Sequence, residues 1–116
     1  MTQVKAKIWI EQEGIKIFGD GPWDILTRVE RTGSLRQAAA EIKMSYSQAW
    51  RLLKTIEKKL GYPLLEKQTG GAGGGYSKLT SRAKALTSAY SQFRDEAEQA
   101  LNKLHNAYLT NLLRRI

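Results

Sequence analysis

With 116 residues, 41% of them apolar, the chain is long enough for one domain with a modest core and one extended appendage. Cysteine is absent, which excludes disulfides and thiolate metal sites and fits a reducing interior, and a lone histidine, His105, leaves little for metal binding or imidazole catalysis. Nineteen Lys and Arg against eleven Asp and Glu give a net charge of +8, which makes a polyanion the partner class to look for.

The N-terminus, "MTQVKAKIWIEQEG", lacks the apolar core and small-residue cleavage site of a signal peptide. No run of about eighteen apolar residues exists to span a membrane, so a cytoplasmic protein with no membrane partner is expected. Val4, Ala6, Ile8 and Ile10 share one parity, with Lys5, Lys7 and Trp9 on the other. That alternation predicts a strand with one buried face. A turn at Glu13-Gly14 and a short return over Ile15 to Phe18 complete an N-terminal hairpin over residues 4–18.

Pro22 suits the first turn of a helix over about 22–33, on which Trp23, Ile25, Leu26 and Val29 have helical spacing, and Gly33 closes it. Ser34 caps a second helix over 35–42, with Leu35, Ala38, Ala39 and Ile42 on one face. After a short break, Ser45 caps a third helix over 45–60, ended by Gly61 and Pro63. Two short helices joined by a few residues, the first rich in alanine, predict a helix-turn-helix, because alanine lets the two approach closely at a steep angle. Ala49, Leu53, Ile56 and Leu60 form the inner face of the third helix. Ser47, Gln48, Arg51, Lys54, Thr55 and Lys58 form its outer face, and Tyr46 and Trp50 lie at the margin.

The stretch "QTGGAGGGYSKLT" holds five of the ten glycines. A nucleotide-hydrolase phosphate loop needs Lys and Ser or Thr directly after the last glycine, opening a helix. Here Gly75 is followed by Tyr76, Ser77 and Lys78, and the next helix begins near Thr80. A dinucleotide fingerprint needs a βαβ unit, which the preceding helices do not supply. A glycine tip between two short extended segments instead makes a β-hairpin over 64–79. Directly after a helix-turn-helix, such a hairpin is a wing, its tip of Gly70, Gly71, Gly73, Gly74 and Gly75 slim enough to approach a phosphate backbone or enter a minor groove.

From Thr80 to the end there is no Gly or Pro. Ala83, Leu86, Tyr90, Phe93, Ala97, Leu101, Leu104, Tyr108, Leu112 and Ile116 follow at spacings of three and four. The stripe predicts one helix over 80–116, about 50 Å long at ~1.5 Å per residue. That is more than the preceding domain can cover, so Leu86, Tyr90, Phe93, Ala97, Leu101, Leu104, Tyr108 and Leu112 are assigned to a homodimer interface. The fold class expected is mainly α with small β-hairpins (α+β): a winged helix-turn-helix over 1–79 and a long dimerisation helix over 80–116.

The basic excess is local. Residues 34–84 carry ten basic and three acidic groups, net +7, whereas residues 1–33 carry five of each. A basic face confined to the helix-turn-helix and wing is the electrostatic footprint of nucleic acid. With that order of elements in hand, Thr32 to Thr80 resembles the DNA-binding domain of the ModE-type, molybdate-responsive bacterial regulators. The resemblance is carried by "SYSQAW" and by "TGGAGGG" with its later "LT". The "GS" and "AAA" opening and the "LGYPLLE" ending are shared more widely, with LysR-type regulators. The resemblance covers about half the chain and implies a winged-helix DNA-binding protein whose long helix carries the dimer. Effector-controlled members carry a further molybdate-binding domain, which is absent from these 116 residues, so no cofactor is expected.

The third helix is assigned to a major groove, with Tyr46, Ser47, Gln48 and Arg51 as base-reading candidates. Gln48 suits adenine, and Arg51 suits guanine or else a phosphate. Tyr46 either contacts a thymine methyl or packs at the core edge, and Trp50 is assigned to packing. Arg36, Lys43, Ser45, Lys54, Lys67, Lys78 and Arg82 are assigned to phosphates, while Lys58 and Lys59 read as a solvated face. Two such helices in a dimer imply an inverted repeat in double-stranded DNA. An enzyme is not expected, since Glu41, Glu57 and Glu66 are scattered among basic residues and read as solvated, and His105 reads as a solvated or interface residue. A protein-interaction module built on the long helix conflicts with the +7 segment. An architectural, sequence-indifferent binder conflicts with the mixed polar face of Ser47, Gln48 and Arg51.

Overall fold

The computed structural model describes residues 2–66 and 76–114. The chain opens with an extended segment and then an antiparallel hairpin, β1 (Trp9–Gln12) and β2 (Ile15–Gly19). Four helices follow: α1 (Asp20–Thr32), α2 (Leu35–Glu41), α3 (Tyr46–Leu60) and α4 (Ser81–Tyr108). Helices and a small antiparallel sheet make this an α+β winged-helix fold.

The hairpin turns at Glu13-Gly14, where both residues have positive φ (52° and 80°), as a two-residue turn of type I′ requires. It is narrower than the sequence suggests, because pairing starts at Trp9 and Val4 to Ile8 form no strand. That segment runs along α4 instead. The Val4 amide donates to Asn102 Oδ1 (3.2 Å), and the Thr2 hydroxyl lies 3.0 Å from His105 Nε2. The alternation of Val4 and Ile8 therefore reflects packing against a helix, with both half-buried and Ala6 exposed. His105, read as solvated or interfacial, is buried beneath the same segment.

Caps delimit the helices. Ser34 and Ser45 side chains accept from the Gln37 and Gln48 amides, and the Gln48 carboxamide oxygen accepts from the Ser45 amide (3.0 Å), closing a capping box. Gly33 and Gly61 end α1 and α3 in the left-handed conformation. The α2–α3 turn is a Schellman motif: the Lys43 amide donates to the Ala40 carbonyl and the Met44 amide to the Ala39 carbonyl. Lys43 sits at the left-handed position with φ 56°, which glycine occupies most easily.

One core joins these elements. Ile25, Leu26 and Val29 of α1 meet Leu35, Ala38 and Ala39 of α2 and Ala49, Leu53 and Ile56 of α3. Each fully buried Ile, Leu or Val contributes about 1.5–3 kcal/mol relative to exposure. Leu64 and Leu79 seal the base of the wing, whose arms meet at an antiparallel Leu65–Leu79 bridge and at Glu66 N to Lys78 O (2.8 Å). Ser77 anchors the return arm to the α1–α2 corner: its amide donates to the Gly33 carbonyl, and its hydroxyl accepts from the Leu35 amide.

α4 ends at Tyr108, at 28 residues and about 42 Å, and Leu112 lies in the turns beyond it. Its first half belongs to the core. Tyr90 is only 5% exposed, edge-on to Phe18 (5.1 Å) and tilted against Trp23, and Leu86 packs on the same cluster. Tyr90 is used within the chain and is not left for a partner, which corrects its assignment to a dimer interface, whereas Leu86 is half-buried. Asp20 pins this junction. Its Oδ1 accepts from Arg94 Nε (2.8 Å) and the Tyr90 hydroxyl (2.8 Å), and Arg94 stacks over Trp23.

Candidate nucleic-acid interface

The buried residues of α3, Ala49, Leu53 and Ile56, lie along one stripe, so the opposite face must look outward. On it stand Ser47, Gln48, Arg51, Lys54, Thr55 and Lys58, all exposed. Ser45 and Gln48, both expected at the DNA, are engaged in the capping box. This occupies the Gln48 carboxamide oxygen in the free protein and leaves its amino group to donate. The Arg36 guanidinium lies 4.4 Å over the Tyr46 ring, joining α2 to the start of α3. Tyr46 is 37% exposed, so it is a surface residue of the helix's first turn.

Trp50 departs from its assignment to packing. It is 45% exposed, one turn beyond Tyr46, with Lys54 Nζ 5.3 Å from its ring. Tyr46, Ser47, Trp50 and Arg51 together wall a shallow surface depression. The helical wheel carries the missing signal, since Trp50 sits roughly a quarter turn from the Ala49, Leu53 and Ile56 stripe.

Around this face the cations have few acidic partners. Lys54 pairs with Glu57 (3.2 Å), while among the described residues Arg36, Lys43, Arg51, Lys58, Lys59, Lys78, Arg82 and Lys84 form no ion pair. Arg82 stacks on Tyr62 at 3.9 Å, at the opening of α4. Neither α3 nor α4 has an acidic residue in its first turn, so the positive ends of both helix dipoles are left uncompensated. Lys67, Gly70, Gly71, Gly73, Gly74 and Gly75 lie outside the described residues.

Two of the three acids that the sequence reads as solvated, Glu41 and Glu57, are structural. Glu41 binds Arg28 (2.9 Å) and Arg31, and the hydrogen bond from Arg28 leads in holding its carboxyl below the usual carboxylate range. Glu57 accepts the Leu64 amide (2.7 Å) as well as Lys54, tying α3 to the root of the wing. Glu66 is exposed. Among the described residues no cluster of His, Asp or Glu could hold a metal, and no helix is long and apolar enough to cross a membrane.

On the second half of α4, Phe93, Leu104 and Tyr108 are exposed, Leu104 by 55% and Tyr108 by 72%. Ala97 is half-buried between them, and Leu101 faces the N-terminal segment beside Val4 and Ile8.

Comparison with known proteins places this architecture. Residues 23–84, from α1 to the first turn of α4, match the model of the bacterial regulatory helix-turn-helix proteins of the lysR family. The transcriptional regulator ModE of Haemophilus influenzae is 37% identical over 82 residues, 71% of this chain and 32% of that protein. The molybdenum transport protein ModE of Azotobacter vinelandii is 31% identical over 103 residues, 89% of this chain and 38% of that protein. The chain thus spans about a third of the length of these relatives. Among solved structures, the CbnR_DBD–DNA complex aligns with a TM-score of 0.61 at 21% identity, over 75% of this chain and 94% of that one. That likeness extends to the fold. The chain belongs to the lysR family of bacterial regulatory helix-turn-helix proteins, with ModE regulators among its homologues.

Proposed function

We propose that the protein is a transcriptional regulator that reads a specific double-stranded DNA sequence as a homodimer. α3 enters the major groove, the wing lies on the backbone or in the minor groove, and the target is an inverted repeat. The observation that carries this reading is the outward face of α3: hydrogen-bonding Ser47 and Arg51 at its centre, with Arg36 and Lys43, which form no ion pair among the described residues, beside it. A mixed face of this kind suits base edges at its centre and phosphates at its rim. Arg36, Lys43, Lys54, Lys67, Lys78 and Arg82 supply the phosphate contacts, and the N-termini of α3 and α4, with no acidic residue in their first turns, add positive potential.

The dimer rests on Phe93, Ala97, Leu104 and Tyr108, whose apolar surface is left exposed on α4, and Leu112 extends this surface past the helix end. The homologues named as transcriptional regulators support the regulatory role, and a protein of the same fold solved in complex with DNA supports DNA as the partner.

Replacing Arg51 by Ala tests the reading at its centre. On a base contact the loss is about 1–3 kcal/mol and specificity relaxes at one position of the site. An equal loss on every DNA sequence assigns Arg51 to a phosphate. Absence of DNA binding by the unaltered protein even at low salt overturns the proposal.

A further inference from the structure

The proposal above leaves a large apolar group unexplained. Trp50 stands on the flank of the reading face beside Ser47 and Arg51, nearly half exposed, where a side chain of this size and apolarity is expected to be buried. It does not stand alone. Tyr46 is exposed one turn earlier on the same flank, and the two rings share the walls of one shallow depression with Ser47 and Arg51. Each ring also has its own cation, Arg36 over Tyr46 at 4.4 Å and Lys54 near Trp50 at 5.3 Å.

A groove that receives such a face must offer it something apolar. Of the four base pairs as seen from the major groove, the donors and acceptors are polar, and the one apolar group is the C5-methyl of thymine. The ring–cation pairs fit this arrangement on both sides. On DNA, the guanidinium of Arg36 and the ammonium of Lys54, which pairs with Glu57 in the free protein, would face phosphates at the groove edge and leave each ring beside its cation on the side of the bases. The geometry points to Trp50 as a specificity-determining residue that reads a thymine methyl group, with Tyr46 walling the same apolar patch. This inference rests on the DNA-reading function proposed above and names the base chemistry of that site.

Deoxyuridine tests it directly, because it pairs as thymine does and lacks only the methyl. The best-binding duplex from a random pool is prepared with each thymine of one half-site replaced singly by deoxyuridine. Dissociation constants are measured for the unaltered protein, for Trp50→Ala and for Trp50→Phe. Burial of one methyl-sized group corresponds to about a fourfold change in affinity. The expected result is a loss of about that size at one position, absent in Trp50→Ala and retained in Trp50→Phe, whose ring keeps the apolar contact; Trp50→Gln, expected to lose it as Trp50→Ala does, serves if the alanine variant fails to fold. Sequence-selective binding that is indifferent to deoxyuridine everywhere overturns this inference and leaves the proposed function standing. The same loss in Trp50→Ala as in the unaltered protein also overturns it. Failure to bind any duplex overturns both.

Discussion

Asp20 gathers three donors at the meeting point of the N-terminal segment, α1 and α4: Arg94, the Tyr90 hydroxyl and, at 3.4 Å, the Ile8 amide. Burial alone would push its carboxyl up, but the hydrogen bonds from Arg94, Tyr90 and Ile8 outweigh it and leave the carboxyl below its ordinary value. Burial and then the hydrogen bond to Asp20 push the Tyr90 phenol up. A carboxyl depressed in the folded state adds stability that is fully present above the unfolded value of about 4 and is lost as pH falls through the folded one. Asp20→Asn should therefore cost about 1–3 kcal/mol at neutral pH. It should also flatten the acid limb of stability below about pH 4 in denaturant titrations; an acid limb unchanged from that of the native protein would contradict this. Lys43 makes the opposite prediction. At φ 56° it occupies the left-handed position of the α2–α3 turn, so Lys43→Gly should stabilise the fold by about 1 kcal/mol. The same change should weaken DNA binding on all sequences alike, as loss of a phosphate contact requires. A thermal melt and a binding titration on one sample separate the two effects.

At the level of elements, what the sequence made legible was local chemistry. Ser34, Ser45 and Thr80 cap their helices because a side-chain oxygen needs only an amide three residues on, and Gly33 and Gly61 end helices for an equally local reason. Ala38, Ala39 and Ala49 announced the close α2–α3 crossing, and all three are fully buried. The misreadings share a different cause, a partner far away along the chain. Val4 to Ile8 alternate like a strand, yet the element they meet is α4, about a hundred residues on. The α4 stripe looked like one surface with one owner, but Tyr90 and Leu86 fall over the domain core and the later residues run past it. At the interface, Ser47, Arg51 and Lys54 were legible as an outward face. The exposure of Trp50 was hidden because tryptophan is expected to be buried. The division of α4 makes its own prediction: Leu104→Lys with Tyr108→Lys should abolish dimerisation in sedimentation experiments while the melting temperature of the winged helix stays near that of the native protein. A dimer that survives both changes would contradict the assignment.

For the whole molecule, shape and charge set the terms of binding. The protein measures 64 × 30 × 21 Å, drawn out by α4, and +7 of its net +8 is concentrated over residues 34–84. In the proposed dimer, two α3 helices would meet one face of a duplex about 34 Å apart or a multiple of that, one or more turns of DNA. If six to ten phosphates are neutralised, affinity should fall about 10³- to 10⁵-fold between 50 and 200 mM salt, with a linear log–log slope that each Lys→Ala at a phosphate contact makes shallower by about one. The central claim, that this charged face reads sequence as a symmetric pair, is tested most directly by selecting random double-stranded DNA with the purified protein at about 150 mM salt, within the range where nonspecific binding is weak. The account predicts enrichment of an inverted repeat whose half-site centres lie one helical turn, or a whole number of turns, apart. Binding without any enriched sequence, disappearing as salt rises, would contradict it.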